Sequence, residues 1–317
     1  MLIENFMRHF AIALSSSTVY LKLICVALMW GGTFIAGRIV AAELSPNLSA
    51  LLRFGFAAIL LVLILLKSTG GFPHLSVQQH LYAILMGLTG VFAYNLFFFA
   101  ALSRIEAGRT ALFVSLSPIL TILVMRFFFQ ERLSRINYLG VYLALFGTLI
   151  VVSKGEFFAA FAQSFGTGEM MMCGAVLSWV IYTICFKQTQ APALTMTTYS
   201  VLWGTFFLFI SLVPEFMQFS LPHISFHSWL SIIFLGIFGT VLAFIWYAEA
   251  IYRIGASRTI VFNNLVPVFA VLLAFLILKE PITWSMLVGG SLSFIGVILT
   301  NKQEKESDKS CNRNLAS

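Results

Sequence analysis

Charge is what this chain has least of. Of its 317 residues only 10% are Asp, Glu, Lys or Arg, against 60% hydrophobic, and the mean hydropathy is +0.95. A water-soluble globule of this length needs far more polar surface, which excludes a soluble enzyme or binding module. Cysteine is scarce as well. Cys25, Cys173 and Cys185 lie inside apolar runs and Cys311 lies near the C-terminus, with no C-x-x-C pair and no zinc spacing, so they read as free thiols. His223 and His227 have metal-like spacing but follow Leu221-Pro222 in a connecting segment with no third ligand nearby, so no metal is assigned. The chain contains no glycine-rich phosphate loop, no H-E-x-x-H and no G-x-S-x-G. No catalytic constellation and no cofactor follow, and no nucleotide-binding segment is present. Acids are fewer than bases, giving a formal charge of +7. The bases are scattered between apolar runs and form no stripe, so they argue for membrane orientation and against a nucleic-acid partner.

What the chain has in abundance is apolar runs. A bilayer core about 30 Å thick needs roughly 20 apolar residues per helix. Ten runs of about that length are bounded by charge, Pro or Gly: Tyr20–Ala41, Asn47–Leu66, Leu81–Ser103, Thr110–Phe129, Ile136–Val152, Glu169–Phe186, Thr195–Pro214, Trp229–Ala250, Thr259–Leu278 and Trp284–Thr300. They are continuously apolar and lack the alternation of a membrane barrel, so they predict helices. Residues 1–19 read as a cytoplasmic lead-in and residues 301–317 as a disordered cytoplasmic tail. An even number of spans puts both termini on one side. With the termini inside, thirteen bases fall on the inner side and six on the outer, which predicts a multi-pass protein of a bacterial-type inner membrane with cytoplasmic termini. Arg104 and Arg109, both outside, run against that bias.

The second half of the chain repeats the first. Laying Gly90 on Gly239, an offset of 149, pairs Ala101 with Ala250, Arg104 with Arg253, Phe113 with Phe262, Pro118 with Pro267, Glu131 with Glu280, Gly140 with Gly289 and Gly147 with Gly296, all without a gap. Trp30 meets Trp179 at the same offset. Each half, residues 20–153 and residues 169–300, carries five spans. Because five is odd, the second half enters the membrane from the opposite side, an inverted repeat of the kind many secondary transporters use. The predicted fold is therefore all-α and integral to the membrane, with ten transmembrane helices arranged as two inverted five-helix repeats.

These residues resemble the EamA-type branch of the drug/metabolite transporter superfamily. The likeness is carried by Leu28-Met-Trp-Gly-Gly-Thr-Phe34, by Leu52-Arg53-Phe54, and by Ser117-Pro118 through Phe129-Gln-Glu131-Arg-Leu133 with Gly140 and Gly147. The second half repeats the last of these as Val266-Pro267 through Leu278-Lys-Glu280-Pro-Ile282, then Gly289 and Gly296. The resemblance implies a metabolite transporter and says almost nothing about its substrate. The second half departs at Leu202, opposite Arg53, and at Val180-Ile181, opposite Gly31-Gly32, so any role of those residues belongs to one half.

Pro118 and Pro267 interrupt equivalent spans. Each lacks an amide hydrogen and crowds the carbonyl four residues back, so each predicts a kink with a freed carbonyl, at Val114 and at Asn263, facing the protein interior. Ser115, Ser117, Asn263 and Asn264 lie beside these kinks and read as a substrate site at the repeat interface, or as interhelical bonding. Trp30, Thr33, Tyr94, Asn95, Trp179, Tyr182, Trp246 and Tyr247 are the intramembrane aromatic and polar groups of spans 1, 3, 6 and 8, suited to a cavity for amphipathic metabolites. With 33 Phe in the chain, ordinary packing is the competing reading for any single ring.

Charges within spans are costly and are functional candidates for that reason. Glu249 is the acid placed deepest in a span. It reads either as a coupling group for protons or cations, or as half of a structural pair with Arg253 at i+4. Arg38 and Arg53 read either as contacts for an anionic substrate, or as snorkelling bases of which Glu43 is the partner. Gly140-x-x-x-Ala144 and Gly289-x-x-x-Ser293 allow close helix approach, and Glu131 and Glu280 read as loop anchors. The expected partners are a small-molecule substrate and the lipid bilayer. The sequence thus predicts a secondary transporter exporting a small metabolite, such as an amino acid, by alternating access. The competing transport reading is uptake or exchange of a nucleoside-like or phosphorylated metabolite, which the arginines would suit. A membrane-embedded enzyme would need clustered His, Asp or Ser groups, which the sequence lacks.

Overall fold

The computed structural model describes residues 2–105, 110, 113–130, 133–153, 156, 166–189, 191–216, 224–278 and 283–301. In chain order the helices are α1 (Leu2–Ala41), α2 (Pro46–Thr69), α3 (Val77–Leu102), α4 (Ser117–Phe128), α5 (Arg135–Val152), α6 (Thr167–Gln188), α7 (Ala193–Phe216) and α8 (Phe226–Ile254). Next comes α9, made of Ala256–Ile260, a 3₁₀ turn Val261–Asn264 and Leu265–Leu278, and then α10 (Trp284–Asn301). Among the described residues eight helices are long and apolar enough to cross a membrane, and the two shorter apolar helices are α4 and α5. Helix starts follow local chemistry. Ser45, Ser76, Ser134 and Ser225 each accept an amide of the first turn, and Gln79 and Asn137 return the bond as capping boxes. α1 runs unbroken from Leu2, and its membrane-spanning part is Thr18–Ala41.

The burial pattern is that of a protein dissolved in lipid. Ile59, Leu63 and Tyr142 present apolar surface outward at 63%, 58% and 63% exposure, while Thr110, Ser115, Thr148 and Thr183 are fully buried. Polar groups in hydrocarbon must find partners inside the bundle.

Helix neighbours reveal the symmetry. A two-fold operation exchanging each helix with the one five places on must map every contact onto another contact. The main contacts do: α2 packs on α7 and α5 on α10, pairs that map onto themselves, while α9 also touches α5 and α10 more closely than α4 does their equivalents. The contact of α3 with α6 is matched by α8 with α1, that of α4 with α6 by α9 with α1, and that of α3 with α7 by α8 with α2. The α5–α10 pair shows it at atomic detail. A Cβ on Gly140 would lie 2.4 Å from Thr300 N and 2.6 Å from Gly296 O, and one on Gly147 would lie 2.4 Å from Gly289 O. Exchanging the halves turns the Gly140–Gly296 contact into the Gly289–Gly147 contact. Two helices that touch backbone to backbone leave no room for side chains, so these positions need glycine. Thr148 Oγ1, Ser293 Oγ and the Ala144 carbonyl bond across the same seam, at 3.2 Å between the hydroxyls and 3.1 Å from Ser293 to Ala144.

Candidate functional site

The site forms where both repeats meet. On α1, Trp30, Thr33 and Phe34 follow the i, i+3, i+4 rule and share one face. A π-helical turn of α8, Ile237–Leu242, packs against α1, and α3 carries its counterpart, Gly87–Ala93, at the equivalent repeat position. Such turns bond i to i+5 and gather at functional sites. Here the Tyr94 amide reaches Thr89 O, and the Ala243 amide reaches Phe238 O. Each turn offers a glycine carbonyl to side chains. Gly90 O accepts from Asn95 Nδ2 at 3.4 Å, and the same nitrogen reaches Val91 O at 2.8 Å. Gly239 O accepts from Trp30 Nε1 and from Arg53 Nη2, both at 3.1 Å. Glycine is required at these two points, because a Cβ on Gly90 would lie 2.2 Å from the Tyr182 ring and one on Gly239 would lie 2.8 Å from Thr33 Cγ2.

Arg53 is the central polar group. Its residue is 4% exposed, and besides Gly239 O its Nε donates to Thr240 Oγ1 at 2.9 Å and its Nη1 to Asn95 Oδ1 at 3.1 Å. Thr240 in turn donates to Leu235 O at 2.9 Å. The guanidinium therefore ties α2 of the first repeat to the π turn of the second. Snorkelling to headgroups, with Glu43 as partner, is overturned for Arg53: Glu43 Oε2 instead accepts the Ser225 amide at 3.0 Å.

Around this group lies a narrow cavity of about 40 Å³, open at one mouth. Trp30 and Trp179 both line it, as do Asn95 and Phe244, Val114 and Asn263, and Ser117 and Val266. Each of these is a pair at the repeat offset, so the cavity lies on the pseudo-two-fold axis. Thr33, Phe34, Arg53, Tyr94, Phe98 and Val176 complete its wall. Trp179 is the hub of the rings, with centroids 5.2 Å from Trp30, 5.4 Å from Tyr94, 5.6 Å from Phe244, 5.4 Å from Tyr247 and 4.9 Å from Tyr182.

Of the residues singled out in the sequence, the fold brings Trp30, Thr33, Tyr94, Asn95, Trp179, Asn263 and Arg53 into this wall. Others fall elsewhere. Tyr182 and Tyr247 are buried behind Trp179, Tyr247 with its hydroxyl 3.2 Å from Thr183 Oγ1. Ser115 and Asn264 are fully buried away from the wall, and neither Oδ1 nor Nδ2 of Asn264 is bonded among the described residues. Trp246 lies under the Lys22 ammonium, 5.7 Å from the ring centroid. Arg38 is exposed near the end of α1. Glu249 is paired with Lys22 of α1 at 2.6 Å, across a helix boundary that the i+4 rule could not anticipate.

The proline kinks are corrected in form. Pro118 stands in the first turn of α4, where no amide is needed, and the Val114 carbonyl is taken by Ser117 Oγ at 2.7 Å. Pro267 follows the 3₁₀ turn at the start of the last α9 segment, and the Asn263 carbonyl receives the Leu265 amide. Both prolines therefore mark breaks between helical segments, with the carbonyls satisfied locally. Glu131, Glu280, Arg109, His223 and Cys311 lie outside the described residues. Among the described residues no cluster of His, Cys, Asp or Glu could hold a metal ion. Sequence reasoning missed the two π turns, whose one trace is the pairing of Gly90 with Gly239, and it missed apolar wall residues such as Phe98 and Phe244.

Known proteins agree with this architecture. The model of the "EamA-like transporter family" matches the chain twice, over residues 17–153 and 166–302. Among curated proteins the chain is similar to the "Uncharacterized transporter YyaM" of Bacillus subtilis (strain 168), 28% identical over 88% of this chain and 92% of that one. It is also similar to the "Probable terminal-alkyne amino-acid exporter" of Streptantibioticus cattleyicolor, 25% identical over 69% of this chain and 72% of that one. A solved structure described as "Crystal structure of protein" superposes with a TM-score of 0.72 at 19% identity, covering 95% of this chain and 99% of its own. That last likeness concerns the fold alone.

Proposed function

This chain belongs to the EamA-like transporter family, and from that membership we propose that it is a secondary active transporter exporting a small metabolite across a bacterial-type inner membrane by alternating access. The observation that carries the reading is the position of the cavity on the pseudo-two-fold axis, walled by equivalent residues of both halves. When the two inverted halves exchange conformations, such a cavity opens to the other side of the membrane without being rebuilt. The similarity to a probable amino-acid exporter supports an amino acid or related compound as cargo. Comparative metabolite profiling of cells and medium, with and without expression, tests it. The expected result is one compound class depleted inside and enriched outside; unchanged profiles in both compartments refute export.

Orientation is part of the proposal. Single cysteines placed at Lys67 and at Lys187, in a variant lacking the native cysteines, are expected to react with an impermeant thiol reagent from the cytoplasmic face. A cysteine at Arg38 is expected to react from outside. Lys67 and Lys187 on opposite faces would contradict the inverted repeat.

The Lys22–Glu249 pair joins α1 to α8, with the two side chains 29% and 32% exposed. Partly exposed pairs contribute little, about 0.2–1 kcal/mol. Glu249→Gln is accordingly expected to lower thermal stability by less than about 1 kcal/mol and to leave the pH dependence of flux as it was. A flux that loses its pH dependence in this variant would instead make Glu249 the coupling group.

A further inference from the structure

The polar wall of the cavity is unequal in charge. Among the described residues it holds one cation, Arg53, and no acid. Among the described residues no carboxylate stands within ion-pair distance of Arg53, and its acceptors are a hydroxyl, an amide oxygen and a main-chain carbonyl. Burying an uncompensated guanidinium costs several kcal/mol after relaxation, a cost that neutral acceptors offset in part. Three of its five N–H groups are used, one each on Nε, Nη1 and Nη2, which leaves one on each terminal nitrogen. Two donors on the two terminal nitrogens are what a bidentate carboxylate takes. The rest of the wall is mostly aromatic and aliphatic, Trp30, Trp179, Tyr94 and Phe244 among it, with Thr33, Asn95, Ser117 and Asn263 as its neutral polar members.

We infer that the cargo carries one carboxylate on an apolar body, the carboxylate paired with Arg53 and the body resting against the touching rings of Trp30 and Trp179. The inference rests on the transport reading above, from which it takes the cavity as the cargo site. A carboxylate brings the net charge of the loaded cavity to zero. A phosphate ester would bring about two negative charges to a single cation, and an uncharged cargo would leave the arginine unpaired. Arg53 also holds Asn95 and Thr240, groups of opposite halves, so a carboxylate that takes over its donors acts on the contact between the halves.

The test is equilibrium binding by isothermal titration on the purified protein in lipid nanodiscs, with phenylacetate, phenylacetamide and phenyl phosphate as probes, together with counterflow of the same probes in proteoliposomes. The wild type is expected to bind phenylacetate at least about tenfold more tightly than phenylacetamide, the difference one charge-assisted bond pair makes, and more tightly than phenyl phosphate. Arg53→Gln is expected to erase the preference for the acid over the amide. Should that variant fail to fold, the wild-type preference alone decides. Equal affinity for acid and amide, no saturable binding of phenylacetate, or tighter binding of phenyl phosphate overturns the inference. Selective binding without counterflow would keep the carboxylate site at Arg53 and remove the transport reading. Counterflow of the amide as readily as the acid would do the reverse.

Discussion

Gly296→Ala is expected to unfold the membrane-embedded seam between α5 and α10, lowering stability by about 3 kcal/mol, the upper range for forced overpacking. A single methyl group is a small change, and its effect depends on what it meets. A Cβ on Gly296 would lie 2.2 Å from Ala144 N and 2.6 Å from Gly140 O, both main-chain atoms that cannot rotate aside. In lipid, helix association depends on close packing, because the surrounding chains are as apolar as the helices themselves. Separating α5 from α10 would also break the Thr148–Ser293 contact and the bond from Asn137 Nδ2 to Thr300 O, 2.8 Å long. Gly55→Ala is the matched control, since nothing lies within 4 Å of a Cβ there. It is expected to leave stability unchanged or raise it by a few tenths of a kcal/mol through helix propensity. Thermal unfolding in detergent, followed by the monodisperse fraction, measures both. A Gly296→Ala protein that melts with the wild type would show that the seam is looser than its geometry.

Trp179→Ala is expected to abolish transport and to cost about 3–5 kcal/mol of stability, the range for removing a large buried aromatic side chain. Its ring touches Trp30, Tyr94, Tyr182, Phe244 and Tyr247, drawn from α1, α3, α6 and α8, so its loss leaves a void shared by both repeats. Trp179→Phe keeps an aromatic face and is expected to retain most of the stability while weakening cargo affinity. The two variants separate packing from recognition. Equal stability loss in both would make the indole shape structural, whereas near-normal flux in Trp179→Ala would remove the ring from the cargo path. Unfolding in detergent and counterflow in proteoliposomes supply the two readings.

How far the site was legible depended on the kind of residue. Trp30 and Trp179 stand out because they recur at one offset, and both do line the cavity. Asn95 stands out because an amide in a span needs a partner, and its partners prove to be Arg53 and two carbonyls of a π turn. Trp246 has the same composition signal as Trp30 yet faces Lys22, because a helix displays its residues in every direction. The π turns add to this. Each inserts one residue into a turn and rotates the helix beyond it by about 100° relative to regular 3.6-residue periodicity. The face carrying Tyr94, Asn95 and Phe98 is therefore offset from where counting back along α3 would place it. Phe98 and Phe244 were invisible for a simpler reason: an apolar side chain in an apolar span carries no mark of which solvent it faces.

That this protein lives in lipid, that it is helical, and that it consists of two like halves inserted in opposite senses can be read from the order of its residues alone. Those properties are sums over local terms, namely the cost of placing each side chain in hydrocarbon, the need of every backbone group for a partner within its own segment, and the parity of five spans. Only the tertiary structure decided that Arg53 is buried beside Thr240 and Gly239, chain positions 187 and 186 residues away, and that Glu249 answers to Lys22. A partner at such separation is chosen by how helices rotate and cross. That choice depends on packing between whole surfaces, which no single stretch of chain encodes.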